Sequence, residues 1–64
     1  MIVWGLRYLD ETPFLGSVAG EYRLAISINA NPPVLIVTNS EDGIESVFEG
    51  TLLELLLKAE EYAQ

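Results

Sequence analysis

The sequence contains no cysteine and no histidine, and only three of its side chains are basic. Without cysteine the chain cannot form a disulfide, and without either residue it lacks the usual zinc ligands. Histidine is also the common base that activates a serine nucleophile, so the serines here have no evident activator. A chain this short leaves little room for a pocket in which two carboxylates could act as acid and base. We therefore predict that the chain is not an enzyme and requires no metal and no cofactor.

The shortage of basic residues leaves ten carboxylates largely unbalanced, with a formal net charge of −7. Phosphates of nucleic acids and anionic lipid surfaces repel such a chain, so we expect neither direct nucleic-acid binding nor membrane binding. No apolar run approaches the roughly 20 residues of a membrane-spanning helix, and the first residues do not resemble a signal peptide. These features predict a cytoplasmic protein.

The chain of 64 residues is long enough for one domain only, covering residues 1–64. Domains of this size bury only about 60% of the surface that the unfolded chain exposes, so their cores are marginal. Half of the residues are hydrophobic, which is more than one small core needs. Since disulfides and zinc are excluded, oligomerisation or docking on a partner is the remaining way to stabilise the fold.

Alternating apolar and polar residues predict the first half of a sheet. A strand is expected at residues 2–9, followed by a loop at residues 10–16. The alternation is clearest at residues 18–28, where we predict one long second strand with a bend or bulge at Gly20. Residues 29–33, which contain two prolines, predict a turn.

The second half of the chain predicts two further strands and a helix. Residues 34–38 are rich in β-branched side chains, and residues 44–49 alternate again after a hairpin loop at 39–43. Thr51 and Glu54 then form a capping-box sequence, which predicts a helix from Leu52 to Tyr62 or Ala63. The expected fold is α+β: a four-stranded antiparallel meander with one C-terminal helix packed on a face (β-β-β-β-α).

The predicted helix carries more leucine than a single buried stripe requires. The docking stripe consists of Leu52, Leu55, Leu56, Ala59, Tyr62 and Ala63. Leu53 and Leu57 lie outside it, either as peripheral core beneath residues 14–15 or as an exposed ridge that meets another subunit. The second face of the sheet also looks apolar. A homodimer interface is therefore predicted at Leu53, Leu57, Leu35, Val37 and Val47.

One spacing in the last hairpin faintly resembles a calcium loop. With Gly43 at the sixth of twelve positions, Thr38 falls at the first, Asp42 at the fifth and Glu49 at the twelfth. An EF-hand requires aspartate at the first position and helices on both sides, whereas this segment has threonine and strands. The pattern indicates an acidic hairpin turn, and we predict no metal site.

Seven of the ten carboxylates lie between residues 41 and 61. They either keep an apolar small protein in solution or form a negative surface complementary to a basic partner. The second interpretation predicts a protein-binding module that inhibits or regulates a basic, nucleic-acid-handling protein. The alternative is a homo-oligomeric structural or assembly subunit of a larger complex. The predicted contact residues on the acidic face are Glu41, Asp42, Glu45, Glu49, Glu54 and Glu61.

Overall fold

A computed structural model describes residues 1–64, which form one five-stranded antiparallel sheet and a C-terminal helix. The strands lie in the sheet in the order in which they occur in the chain, so each pairs with the next. A short 3₁₀ helix extends the α-helix. The elements are β1 (Gly5–Leu9), β2 (Thr12–Ala19), β3 (Tyr22–Ser27), β4 (Val34–Asn39), β5 (Glu45–Glu49), α1 (Leu52–Glu60) and the 3₁₀ helix (Glu61–Ala63).

The prediction of four strands is wrong because two tight turns were not identified. The segment predicted as a loop at residues 10–16 contains a two-residue turn, Asp10-Glu11, and most of β2. Both turn residues have positive φ, 49° and 67°, as a type I′ turn requires. Such turns usually contain glycine, and here neither position does. The antiparallel meander and the C-terminal helix on one face agree with the sequence analysis.

The second missed turn divides the strand predicted at residues 18–28. Gly20 has a φ of +60° and forms a two-residue turn with Glu21, closed by the Ala19–Tyr22 pair. It is therefore a hairpin turn and not a bulge. A two-residue turn also changes which residues share a face: Val18 lies opposite Arg23, whereas Leu24 points to the other side of the sheet. The alternation of apolar and polar residues continues through Gly20, so the sequence pattern does not reveal this change of face.

The core lies between one face of the sheet and α1. Ile26 and Leu35 are neighbours on β3 and β4 and are fully buried, and Leu55 and Ala59 of the helix pack in the same cluster. The remaining buried members of this cluster are Ile2, Ala19, Leu24 and Val37. No buried polar side chain interrupts it. The opposite face of the sheet has no second layer.

Three aromatic rings hold the C-terminal end of the helix on the sheet. The Tyr62 ring meets Tyr22 edge-on, with centroids 5.0 Å apart, and lies 6.4 Å from the Phe48 ring. At the same end, the Glu60 carboxylate accepts a hydrogen bond from the Ile2 N–H at 3.1 Å. The helix is thus fixed to both the sheet and the first residues of the chain. Neither helix has the length and apolar character needed to cross a bilayer.

Replacing Leu55 with alanine should strongly destabilise the fold, because this side chain is only 2% exposed in the core. Loss of a buried leucine typically lowers the free energy of unfolding by about 2–5 kcal/mol. Leu57→Ala is the matched control on the same helix, since Leu57 is 62% exposed; it should change stability by less than about 0.5 kcal/mol. Urea unfolding followed by circular dichroism measures both, and equal effects would contradict the helix orientation.

Replacing Glu11 with glycine should stabilise the first hairpin, because Glu11 adopts a left-handed backbone conformation. Relieving that strain is worth about 1 kcal/mol, or a rise in melting temperature of about 4–8 °C in a domain of this size. Glu21→Gly removes the same charge from the second turn, where φ is not positive, and should give no gain. A calorimetric scan in which both variants melt alike would contradict the assigned turn geometry.

Candidate partner-binding surface

The hairpin between β4 and β5 is a rigid acidic turn. The Asn39 side chain accepts from the Glu41 N–H, and the Asp42 carboxylate accepts from the Ile44 N–H, both at 2.9 Å. The backbone of Asn39 also bonds with Gly43 and Ile44. Gly43 supplies the positive φ of +73° that the turn needs. The side chains of Glu41 and Asp42 are therefore presented from a well-defined loop.

Glu45 and Glu49 extend this acidic surface along β5, which is an edge strand of the sheet. Both side chains point to the face opposite the helix, since Glu45 pairs with Thr38 and Glu49 with Val34. Both are exposed, and neither has a hydrogen-bond or ion-pair partner within the chain. We call Glu41, Asp42, Glu45 and Glu49 the acidic hairpin.

Glu54, also predicted in the acidic face, is engaged at the start of α1. Its carboxylate accepts from the Thr51 N–H at 2.9 Å, and the Thr51 hydroxyl accepts from the Glu54 N–H at 3.2 Å. The predicted capping box is thus confirmed. The hydrogen bond from the Thr51 backbone, followed by the Thr51 side chain, lowers the pKa of Glu54. This carboxylate caps the helix and is therefore less available to a partner than the carboxylates of the acidic hairpin.

Glu61 is also partly occupied within the chain. Its carboxylate lies 3.4 Å from the Lys58 ammonium, which in turn lies 4.8 Å above the centre of the Phe48 ring. Lys58 contacts Glu61 and not Glu54, which lies one helical turn earlier. The carboxylates of the helical segment are therefore engaged within the chain, whereas those of Glu41, Glu45 and Glu49 in the acidic hairpin are not.

The residues predicted for an oligomer interface do not share one surface. Leu53 and Leu57 are exposed on α1, at 66% and 62%, and no loop covers them. Val47 lies on the opposite, open face of the sheet. The placement of Leu35 and Val37 on that open face is wrong: both are buried beneath the helix, at 0% and 2% exposure, because odd-numbered residues of β4 face the core.

The open face of the sheet also contains two arginines that the sequence analysis did not single out. Arg7 on β1 and Arg23 on β3 are both exposed and point to the same side as Glu45 and Glu49. They border a shallow groove of about 740 Å³. Two of the three basic side chains therefore lie on one face, and recognising the two-residue turns in the sequence would have placed them there.

The residues of the calcium-like spacing form an ordinary hairpin. The Asp42 carboxylate is used within the turn, where it accepts from Ile44. Thr38 and Glu49 lie in different rows of the β4–β5 ladder, because Thr38 pairs with Glu45. No three acidic side chains lie close enough together to hold a metal ion.

The lowered pKa of Glu54 predicts a pH-dependent contribution to stability. Because the carboxylate is favoured in the folded state, its stabilising effect is complete above the ordinary pKa of glutamate and is lost as the pH falls through the lowered value. Glu54→Ala should therefore melt at a lower temperature than the natural chain at neutral pH. In melting curves recorded at low ionic strength, the difference in melting temperature between the two chains should narrow as the pH falls from the ordinary pKa of glutamate through the lowered value. A gap independent of pH would contradict this role.

Comparison with known proteins gives one partial similarity. The chain is 42% identical over 50 residues to a formate dehydrogenase from Pseudomonas sp. (strain 101), a match that includes 75% of this chain. It spans only 12% of that enzyme's length. No family model matches the chain, and no solved structure matches it. A similarity restricted to so small a part of the enzyme assigns no activity to this chain.

Proposed function

We propose that the chain is a small acidic protein-binding module that inhibits or regulates a basic, nucleic-acid-handling protein. The acidic hairpin makes the contact. The observation that carries this proposal is the concentration of four exposed carboxylates on one hairpin, three of them without any partner inside the chain. This role would be carried out in the cytoplasm, the compartment that the sequence predicts.

The backbone of the acidic hairpin supports this proposal because it holds the charges in place before binding. Glu45 and Glu49 are four residues apart on one strand, or about 13 Å at the usual rise per residue. Glu41 and Asp42 continue the negative surface around the turn. Carboxylates fixed in this way lose little conformational freedom when they meet a basic groove.

The overall charge supports the same proposal through the rate of association. A net charge of −7 produces a long-range field that attracts a basic surface and repels acidic ones. Such complementarity raises the rate of encounter and selects among partners more than it raises affinity. The similarity to a segment of formate dehydrogenase does not bear on this role.

Reversing the charge of Glu45 and Glu49 should weaken partner binding without unfolding the chain. Natural and Glu45→Lys/Glu49→Lys chains are immobilised and exposed to host lysate, and retained proteins are eluted with a salt gradient. A basic protein should remain on the natural chain only, leave at moderate salt and be displaced by duplex DNA, because DNA competes for the same groove. The affinity of the isolated partner should fall by at least about tenfold with the double variant.

The matched control is Glu21→Lys, which changes one exposed carboxylate at a turn outside the acidic hairpin. It should retain the partner. If the retained protein binds all three chains equally, or if salt and DNA fail to release it, the acidic hairpin is not the binding surface.

A further inference from the structure

The outer edge of β1 carries backbone groups that have no partner within the chain. β1 is an edge strand, so only one of its sides is paired, with β2. The pair that closes a two-residue hairpin, here Leu9 and Thr12, exchanges two backbone hydrogen bonds, and such pairs alternate along the ladder. The backbone N–H and C=O groups of Leu6 and Tyr8 therefore point away from β2. None of the hydrogen bonds outside the ladders involves them.

The side chains of the same two residues are also uncovered. Both point to the face of the sheet that packs on α1, because Leu6 pairs with Leu15, which pairs with the buried Ile26. The helix does not cover them, since Leu6 is 56% and Tyr8 67% exposed. Apolar side chains beside unpaired backbone groups are what an added strand requires for binding to a sheet edge.

The two ends of β1 carry opposite charges. Arg7 is the only charged residue of the strand, and its side chain bends back over Gly5, where an added Cβ would lie 3.8 Å from its Nε and 3.9 Å from its Cζ. The guanidinium therefore lies at the first residue of the strand. The acidic turn Asp10-Glu11 follows the last residue. An antiparallel copy of this strand would bring each positive end to a negative end.

We propose that β1 of a second copy pairs with β1 in the antiparallel direction, about a two-fold axis perpendicular to the sheet at Arg7. Leu6 then lies opposite Tyr8 of the second copy, and Gly5 opposite Leu9 of the second copy. The two Leu6–Tyr8 pairs each exchange two backbone hydrogen bonds. The two five-stranded sheets join into one, with both helices on the same face. Symmetry makes every contact occur twice, as in most homodimers.

This register places the Arg7 guanidinium beside the acidic turn of the second copy. Gly5 lies opposite Leu9 of the second copy, and Asp10 of the second copy is the next residue. The Cα atoms of Gly5 and Asp10 are then about 6 Å apart, within reach of both charged side chains. The two Arg7 backbones face each other, but their guanidinium groups lie over the two Gly5 residues, about 13 Å apart along the strands. The attraction is therefore closer than the repulsion.

The remaining negative charge does not oppose this pairing at close range. The acidic hairpin includes β5, the other edge strand, which lies about 19 Å from β1 at the usual strand spacing. Pairing through β1 puts the acidic hairpins of the two copies at opposite ends of the joined sheet. Both stay free for a basic partner, so the dimer neither depends on the proposed function nor competes with it.

The first test is the oligomeric state of the purified chain, by sedimentation equilibrium at about 0.15 M salt. The natural chain should form a dimer with a dissociation constant of about 1–100 μM, because the interface is small. Amide hydrogen exchange measured by NMR locates the contact. The N–H groups of Leu6 and Tyr8 should exchange at least about tenfold more slowly well above the dissociation constant than well below it. The Arg7 N–H, which bonds to β2, should be protected at both concentrations.

Reversing the charge of Arg7 tests its contact with the acidic turn. Arg7→Glu should raise the dissociation constant of the dimer by about tenfold, because two attractive contacts become repulsive. Arg23→Glu is the matched control, since it makes the same change at an exposed arginine of β3. It should change the dissociation constant by less than about threefold. Circular dichroism checks that both variants remain folded.

A second pair of variants tests the apolar contact without changing Arg7. Tyr8→Lys and Leu53→Lys both introduce a lysine at a similarly exposed site, 67% and 66%, so both should remain folded. Only Tyr8→Lys should raise the dissociation constant by about tenfold or more. A chain that stays monomeric up to about 1 mM, a dimer in which Leu6 and Tyr8 remain unprotected, or equal effects of a variant and its control would each overturn the proposal. None of these results would alter salt-dependent binding of a basic partner.

Discussion

The two-residue turns at Asp10-Glu11 and Gly20-Glu21 determine which side chains of this protein meet each other. A turn of this length fixes the pairing of the strands on either side, so that each position has one neighbour across the ladder. A turn one residue longer or shorter would move every side chain of the following strands to the opposite face of the sheet. Burial of Ile26 and Leu35 under the helix, and exposure of Arg23, follow from the same register.

The one-sided core is the energetic consequence of that arrangement. Nine of the 64 residues are buried, which is few for a domain that lacks disulfides and metal ions. The helix covers one face, and its C-terminal turn is held by the contact between Tyr22 and Tyr62. The open face adds apolar residues that contribute nothing to this core. Exposed apolar side chains therefore remain both on the open face of the sheet, at Val18 and Val47, and on the helix, at Leu53 and Leu57.

The elements with a strong local signal could be predicted from the sequence. The Thr51–Glu54 capping box places the start of the helix, and Gly43 marks the last hairpin, because each depends on residues close in the chain. The first hairpin was not found because its turn has no glycine. Gly20 was identified but interpreted as a bulge, since the alternation of residues continues through it. That error also reversed the faces of the sheet.

The partner-binding surface could be predicted only in part. Exposed carboxylates on the last hairpin follow from local sequence, and the structure places Glu45 and Glu49 together on one face. The involvement of Glu61 with Lys58 could not be distinguished from a Glu54–Lys58 pair by spacing alone. Arg7 and Arg23 are 16 positions apart in the chain, so only the correct turns could bring them to one face. Long-range register, not residue type, limited the prediction.

The position of Glu45 and Glu49 on an edge strand has one more consequence. An edge strand offers unpaired backbone groups on which other chains can add strands without limit, as in fibrils. Two glutamates on the five residues of β5 make stacking of identical copies along this edge unfavourable, because like charges would lie side by side. β1, with Leu6 and Leu9 exposed, carries no such carboxylates. The β5 edge is therefore protected against open-ended assembly. Copies that associate through their β1 edges alone would stop at two chains.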